Sequence, residues 1–191
     1  WFIIRSENIG FFGKLLRKRK ITEKTLHKGE LRPELALLMC VFAGIKHNEI
    51  LCDPFAGYGA IPIQVIQSYR IAKMYVCDND KNLVDRLNNI DTFKHCVCKV
   101  SIKCEDAMQL ESVKDPPWGY YENIPNIEEF YNSMFRSFKR ILKAEGRVVV
   151  LSARKNEIVA AVKNEKGYII KHIDTLVNGK KAGIYMVQFN K

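Results

Sequence analysis

The sequence predicts an α/β fold: a parallel sheet covered by helices on both faces, with an antiparallel strand added at the end. Three observations carry this prediction. Short apolar runs alternate with amphipathic helical stretches from residue 32 to residue 164. Two strand-like runs then follow each other with no helix between them. Four acids, Asp53, Asp78, Asp106 and Asp115, stand at or near the ends of strands, the side on which open sheets of this kind bind ligands. One such acid alone would read as a helix cap. Four are hard to explain as structure.

The elements follow in order. "WFIIRSENIGFFGKLLRKRK", 1–20, has two apolar runs around "SEN", a hairpin signal. "RPELALLMCVFAGI", 32–45, reads as a helix, with Pro33 in its first turn and Gly44 at its end. "EILCDPF" is a short strand ending at Asp53, and "AIPIQVIQSYR" a helix that tolerates Pro62 because it falls in the first turn. "KMYVCD" is a strand ending at Asp78. "KNLVDRLNNI" is a helix with its apolar stripe at Leu83, Val84, Leu87 and Ile90. "CKVSIKCED" is a third strand, ending near Asp106. "IEEFYNSMFRSFKRIL" is a long amphipathic helix closed by Gly146, and "RVVVLSA" a buried strand followed by the helix "NEIVAAVKN". "YIIKHIDTLV" and "AGIYMVQFN" make a closing hairpin around "NGKK".

The 191 residues, 47% of them hydrophobic, suit one domain with a full core. No apolar run approaches the ~20 residues of a membrane helix. The chain starts at Trp1 rather than Met, which suggests a fragment with a linker from an upstream domain over 1–30 and the main domain over 31–191. Most of the six cysteines sit in apolar stretches and read as buried, free thiols in a reducing, cytoplasmic setting. "HCVC" at 95–98 lacks a second Cys or His pair at zinc spacing, so no metal is expected.

The formal net charge is +10, and residues 1–32 hold nine Lys or Arg against three acids. The densest part is "KLLRKRK", which marks Lys14, Arg17, Lys18, Arg19 and Lys20 as candidate phosphate contacts. A solvated face is the plain alternative. An anionic membrane surface fits less well, because no long basic amphipathic helix is present.

"DPFAGYGAIP", 53–62, joins the first strand of the sheet to its helix. Gly57 and Gly59 let backbone approach a ligand closely. The loop resembles the dinucleotide pattern G-x-G-x-x-G, but Pro62 takes the third glycine's place and an acid opens it. A pyrophosphate wants amides and no nearby carboxylate. A sulfonium or ammonium would welcome one. The loop therefore favours S-adenosylmethionine over NAD. Its candidate contacts are Asp53, Phe55, Ala56, Gly57 and Gly59. Asp78, with Asn79 beside it, is placed to accept from ribose hydroxyls, and Asp106 from the adenine amine.

With these residues in view, the chain resembles class I S-adenosylmethionine-dependent methyltransferases over about 31–191. The motifs "LRPELALLM", "DPFAGYGAIP", "VCDND", "CEDAMQL" and "DPPWG" run in that family's order. More narrowly, it looks like the RNA guanine-N2 methyltransferases that carry a THUMP domain upstream. Here no THUMP domain is present, Ala56 and Tyr58 stand where the family often has Cys and Thr, and Trp118 replaces the commoner Tyr. The resemblance implies a Rossmann-like sheet of seven strands with the last antiparallel.

It also implies a role for "DPPWG" at 115–119. By itself the stretch reads equally as a stiff surface turn, since two prolines fix φ and remove two donors. In enzymes that methylate exocyclic amines such a tetrad lines the target pocket. The residue types suit the task. An aryl amine is a poor nucleophile, and the Asp115 carboxylate and the Pro116 carbonyl can each accept one of its N–H groups, orienting the lone pair. Trp118 can stack on the base, and a paired base would have to be flipped out. Tyr120, Tyr121 and Glu122 either line the same pocket or cover the next helix.

The resulting expectation is methylation of a guanine N2 in RNA, tRNA ahead of rRNA. N6-adenine methylation of DNA or RNA is the alternative within enzymes. Protein glutamine methylation usually uses "NPPY", against Asp115. A non-catalytic RNA-binding module with this fold is the alternative outside enzymes. One feature fits none of these. Only "AMQLESVK" separates Asp106 from Asp115, too short and polar for the buried fourth strand the sheet needs. The expectation is that residues are missing around 110–114, with a spatial gap or a chain break there.

Overall fold

The computed structural model describes residues 2–6, 9–14, 26–27, 29–110, 126–177 and 179–190. The expected hairpin at the start is present: β1 (Phe2–Ser6) and β2 (Ile9–Gly13) pair antiparallel.

Helix α1 (Pro33–Ala43) begins with proline at its first position, where the missing N–H costs nothing, and ends on Gly44 at φ 60. Strand β3 (Ile50–Asp53), helix α2 (Ala60–Ser68), strand β4 (Lys73–Asp78), helix α3 (Lys81–Asn88), the short helix α4 (Asp91–Lys94) and strand β5 (Lys99–Cys104) then alternate. Asp80 caps α3 by accepting from the Asn82 N–H at 2.8 Å. β3, β4 and β5 form a parallel sheet in the order β3-β4-β5. Helix α5 (Ile127–Ile141), strand β6 (Val148–Ser152), helix α6 (Lys155–Asn164) and strands β7 (Gly167–Val177) and β8 (Lys180–Phe189) complete the described chain. The last two form the expected hairpin, and β8 runs antiparallel to both its neighbours in the order β6-β8-β7.

The α/β class with helices on both faces is therefore observed. A single seven-stranded sheet is not: apart from the β1-β2 hairpin, the described residues give a group of three parallel strands and a separate group of three with antiparallel pairing. Two cores nevertheless run across both groups. One joins α1, α2 and Leu87 of α3 to Met74 and Val76 of β4, Val149 and Leu151 of β6 and Ile184 of β8. The other joins α5 and α6 to Cys52 of β3, Cys77 of β4, Val148 and Val150 of β6 and Tyr185 and Val187 of β8. Alternate residues of β4 and β6 thus face opposite helical layers, as the period of a strand requires.

The expected break around 110–114 falls beyond Leu110 and lies outside the described residues, as does the whole stretch to 125. Three smaller expectations are corrected. α5 ends at Ile141 rather than at Gly146, because Leu142 turns to extended backbone and stays buried, while Gly146 closes a separate turn onto the Lys143 carbonyl at 2.9 Å. Three cysteines rather than most are buried, Cys40, Cys52 and Cys77; Cys96 and Cys98 are half-buried and Cys104 exposed, and all six are free of disulfides. The short helix α4 and the 3-10 turn Ala107–Gln109 were not anticipated.

Arg147, just before β6, fastens the amino end of the fold. Its guanidinium donates to the Ala43 carbonyl at 2.6 Å, the Gly44 carbonyl at 3.0 Å and both Glu49 oxygens at 2.9 and 2.8 Å. It so satisfies the open carbonyls at the end of α1 and a carboxylate ahead of β3 together. A cavity of about 260 Å³ opens beside it, between Ile50 and Leu51 of β3 and Val149 of β6. It lies at the opposite end of β3 from Asp53.

Candidate functional site

The carboxyl ends of β3 and β4 bring the first two predicted acids together. Asp53 is 1% exposed and Asp78 8%. Asp53 accepts from the Phe55 N–H at 3.2 Å. Burial drives its carboxyl well above the usual carboxylate range, the Phe55 amide offsets part of this, and the nearby Asp78 adds to it. Such a group is short of positive charge. Asp78 is held differently. One of its oxygens accepts from the Gly57 N–H at 2.8 Å and the other from the Asp80 N–H at 3.0 Å. It therefore ties the glycine loop to the end of β4.

The loop between Asp53 and α2 is shaped by its glycines. Gly57 sits at φ 52 and Gly59 at φ 84, a region that suits glycine. A Cβ on Gly57 would meet nothing nearer than the Phe55 carbonyl at 4.0 Å, so space stands open over this residue. A Cβ on Gly59 would come within 2.9 Å of Leu87 Cδ2, so that glycine lets the loop press onto α3. Ala56 is buried and donates to the Cys77 carbonyl at 2.9 Å. Phe55 packs 6.2 Å from Phe130 and 6.5 Å from Phe138, which docks the loop onto α5.

The third acid is further out. Asp106 is exposed and accepts from the Met108 N–H at 2.9 Å, capping the 3-10 turn. Asn79 accepts at its carbonyl from Cys104 Sγ at 3.6 Å. Asp115, Pro116 and Trp118 lie outside the described residues, and so do Arg17, Lys18, Arg19 and Lys20; Lys14 is described and exposed. Among the described residues no group of three His, Cys, Asp or Glu is arranged to hold a metal, and no helix is long and apolar enough to cross a membrane.

Sequence reasoning missed the far wall of this edge. Tyr131, in the second turn of α5, shares a 2.7 Å hydrogen bond with the buried Ser152 at the end of β6, and Ser152 accepts from the Arg154 N–H at 2.9 Å. Phe130 stands edge-on to Tyr131 at 5.4 Å. Phe55, Phe130, Tyr131 and Ser152 thus link the glycine loop to the end of β6. The available signal was the aromatic pair at the start of the helical stripe of α5.

A buried acid short of positive charge, beside glycine backbone with open space above it, fits a cationic nucleoside better than a pyrophosphate. The family described as "UPF0020: RMKL-like, methyltransferase domain" matches residues 19–180. The chain belongs to this family. It is an S-adenosylmethionine-dependent methyltransferase domain. It is 28% identical over 137 residues to a probable tRNA (guanine(10)-N2)-dimethyltransferase of Methanothermococcus thermolithotrophicus, a match covering 64% of this chain and 81% of that protein. Among solved structures, TrmN from Thermus thermophilus superposes with a TM-score of 0.71 at 16% identity, over 85% of this chain and 50% of that one. Magnesium protoporphyrin IX methyltransferase from Synechocystis, solved with S-adenosylmethionine bound, gives a TM-score of 0.65 at 15% identity, over 81% of this chain and 76% of that one. These structural likenesses concern the fold. The chain spans half the length of TrmN.

Proposed function

We propose that this methyltransferase domain modifies the exocyclic N2 amine of a guanine in RNA, with tRNA as the substrate class. The observation that carries the proposal is the order of chemical groups along the chain. A buried acid and glycine loop come first, then an acid tied to that loop, then an exposed acid, and "DPPWG" follows at 115–119. The net charge of +10 suits a polyanionic substrate. The name of the Methanothermococcus relative supports guanine N2 over adenine N6.

When bound, S-adenosylmethionine supplies the methyl group. We assign its cation to Asp53, its ribose to Asp78 with Asn79, and its adenine to Asp106, with Phe55, Ala56, Gly57 and Gly59 forming the backbone bed. On the other substrate, Asp115 and the Pro116 carbonyl accept the two amine N–H groups. This aims the nitrogen lone pair and stabilises the positive charge that grows there. Trp118 stacks on the base and holds it in line. Lys14, Arg17, Lys18, Arg19 and Lys20, in the basic lead-in 1–30, bind phosphates. The seven-stranded sheet belongs to the same proposal: β3 and β6 each pair on one edge among the described residues, and a further strand between those two edges would join the groups.

Radiolabelled S-adenosylmethionine offered with bulk RNA, DNA or protein tests the substrate class, and mass spectrometry of the labelled nucleoside tests the position. N2-methylguanosine is expected. Label in DNA, in protein or on adenine N6 would replace the reading. Asp115→Ala should keep cofactor affinity and lower turnover by ~10²–10³. Neutralising the five basic residues should flatten the salt dependence of RNA binding.

A further inference from the structure

Tyr58 lies between the two glycines of the cofactor loop, and its ring is held from outside the loop. The His27 ring stacks on it with centroids 4.4 Å apart and planes 6° from parallel. The guanidinium carbon of Arg86, in the last turn of α3, lies 5.0 Å from the Tyr58 centroid. His27 is itself fixed by a tight turn: its N–H donates to Glu30 Oε2 at 2.9 Å, and the Glu30 N–H donates to the His27 carbonyl at 3.0 Å. Successive residues of α3 so receive successive residues of the loop, Arg86 meeting Tyr58 and Leu87 meeting Gly59.

The flanking residues explain why this matters. Gly57 and Gly59 both stand at positive φ and neither has a side chain to limit it. A peptide between two such pivots has many conformations available unless something outside holds it. Gly59 is held by its contact with α3, and the Gly57 N–H by Asp78. The Gly59 N–H also donates to the Ala56 carbonyl at 2.7 Å, and the side chain of Tyr58 is a further handle, gripped by His27 and Arg86 from outside the loop.

We infer that Tyr58 is a positioning residue for cofactor binding, and that His27, stacked on it, pre-organises the glycine loop. It follows that the end of the basic lead-in is part of the cofactor-binding device, acting on the cofactor loop through this ring. Holding a loop in its bound shape raises affinity by removing the ordering cost at binding.

Calorimetric titration of S-adenosylhomocysteine into the 191-residue chain tests this, with His27→Ala, His27→Phe, Tyr58→Phe and Tyr58→Ala beside the parent. His27→Ala and Tyr58→Ala should bind roughly three- to tenfold more weakly, the range one aromatic pair supports. His27→Phe and Tyr58→Phe, which keep both rings, should bind as the parent does. The melting temperature of the ligand-free His27→Ala chain should be unchanged, since His27 is exposed. Parental affinity in His27→Ala, or equal loss in His27→Phe, would overturn the inference. A lower melting temperature accompanying the weaker binding would overturn it too, by making the effect general destabilisation. A parent chain that does not bind would instead remove the cofactor assignment, and the clasp with it.

Discussion

Glu49 and Asp53 bracket the same short strand, and their carboxyls are displaced in opposite directions. Burial pushes Glu49 upward, but the hydrogen bonds from Arg147, the Lys46 N–H and the charges of Arg147 and Lys46 outweigh it, and the group ends below its ordinary value. Asp53 is more deeply buried, has a backbone amide for support and faces another acid, and it ends well above. The difference separates two uses of one residue type. At the amino end of β3 an acid and its cation are supplied together, and the fold is fastened. At the carboxyl end the acid is buried with a backbone amide for support and another acid nearby, and its ionised form comes at a cost to the fold; the proposed function gives that acid a cation from the ligand.

The largest effect should come from breaking the ligand's half of this contrast. Asp53→Ala should weaken S-adenosylmethionine binding by roughly 10- to 100-fold, the equivalent of one charge-assisted contact of ~1.5–3 kcal/mol. Calorimetry measures it, and affinity equal to the parent's would detach Asp53 from the cofactor.

Breaking the fastened end comes next. Arg147→Ala should destabilise the chain by about 2 kcal/mol, less than for a fully buried pair because the two side chains are 20% and 24% exposed. Urea unfolding reads this directly. Loss below ~0.5 kcal/mol would mean that water replaces the guanidinium at α1 and Glu49.

The smallest effect sharpens the contrast most. Asp53→Asn keeps the shape and removes a carboxyl whose ionised form burial penalises, so the ligand-free chain should become more stable near pH 7, by roughly 2–4 °C in Tm per kcal/mol regained. The pH profile gives the sign. The folded form of Asp53 holds its proton more tightly than the unfolded form, so stability falls as pH rises above the ordinary value of 3.8 and levels off beyond the raised folded value. Glu49 does the reverse: its contribution is present above its ordinary value of 4.5 and is lost as pH falls through the folded value. Asp53→Asn should flatten the first slope and Glu49→Gln the second. A neutral-pH Tm below the parent's in Asp53→Asn would reverse the account of this acid.

Much of this was legible in the sequence. The glycine loop, the acids ending β3 and β4 and the caps at Pro33 and Gly44 follow from local chemistry, and local chemistry is what a sequence displays. What stayed hidden depends on contacts across the chain. Nothing in "CDPF" says that Asp53 is sealed from water, because burial is decided by what the rest of the fold, β4 beside it included, brings to the end of β3. Arg147 gave no local sign of its role, which is fixed by Ala43, Gly44 and Glu49 about a hundred positions earlier. The helix "DTFK" is a single turn and too short to show a period. The end of α5 was misplaced because Gly146 is a good stop signal, yet the burial of Leu142 bends the chain away before reaching it.

The place of β8 has a consequence for how the molecule is made. It is synthesised after both of the strands it separates, since β6 and β7 precede it and neither pairs with the other. The β3-β4-β5 group can zip up in the order in which it leaves the ribosome. The other group cannot: Val148–Ser152, buried along its whole length in the finished domain, has no described neighbour in the sheet until 180–189 is free. Until then the edge of β6 that β8 covers stays open in the newly made chain, a stage that invites chaperones and aggregation. A stop codon shortly before residue 180 would hold it in that stage, leaving the glycine loop and its acids intact in a product that cells would clear.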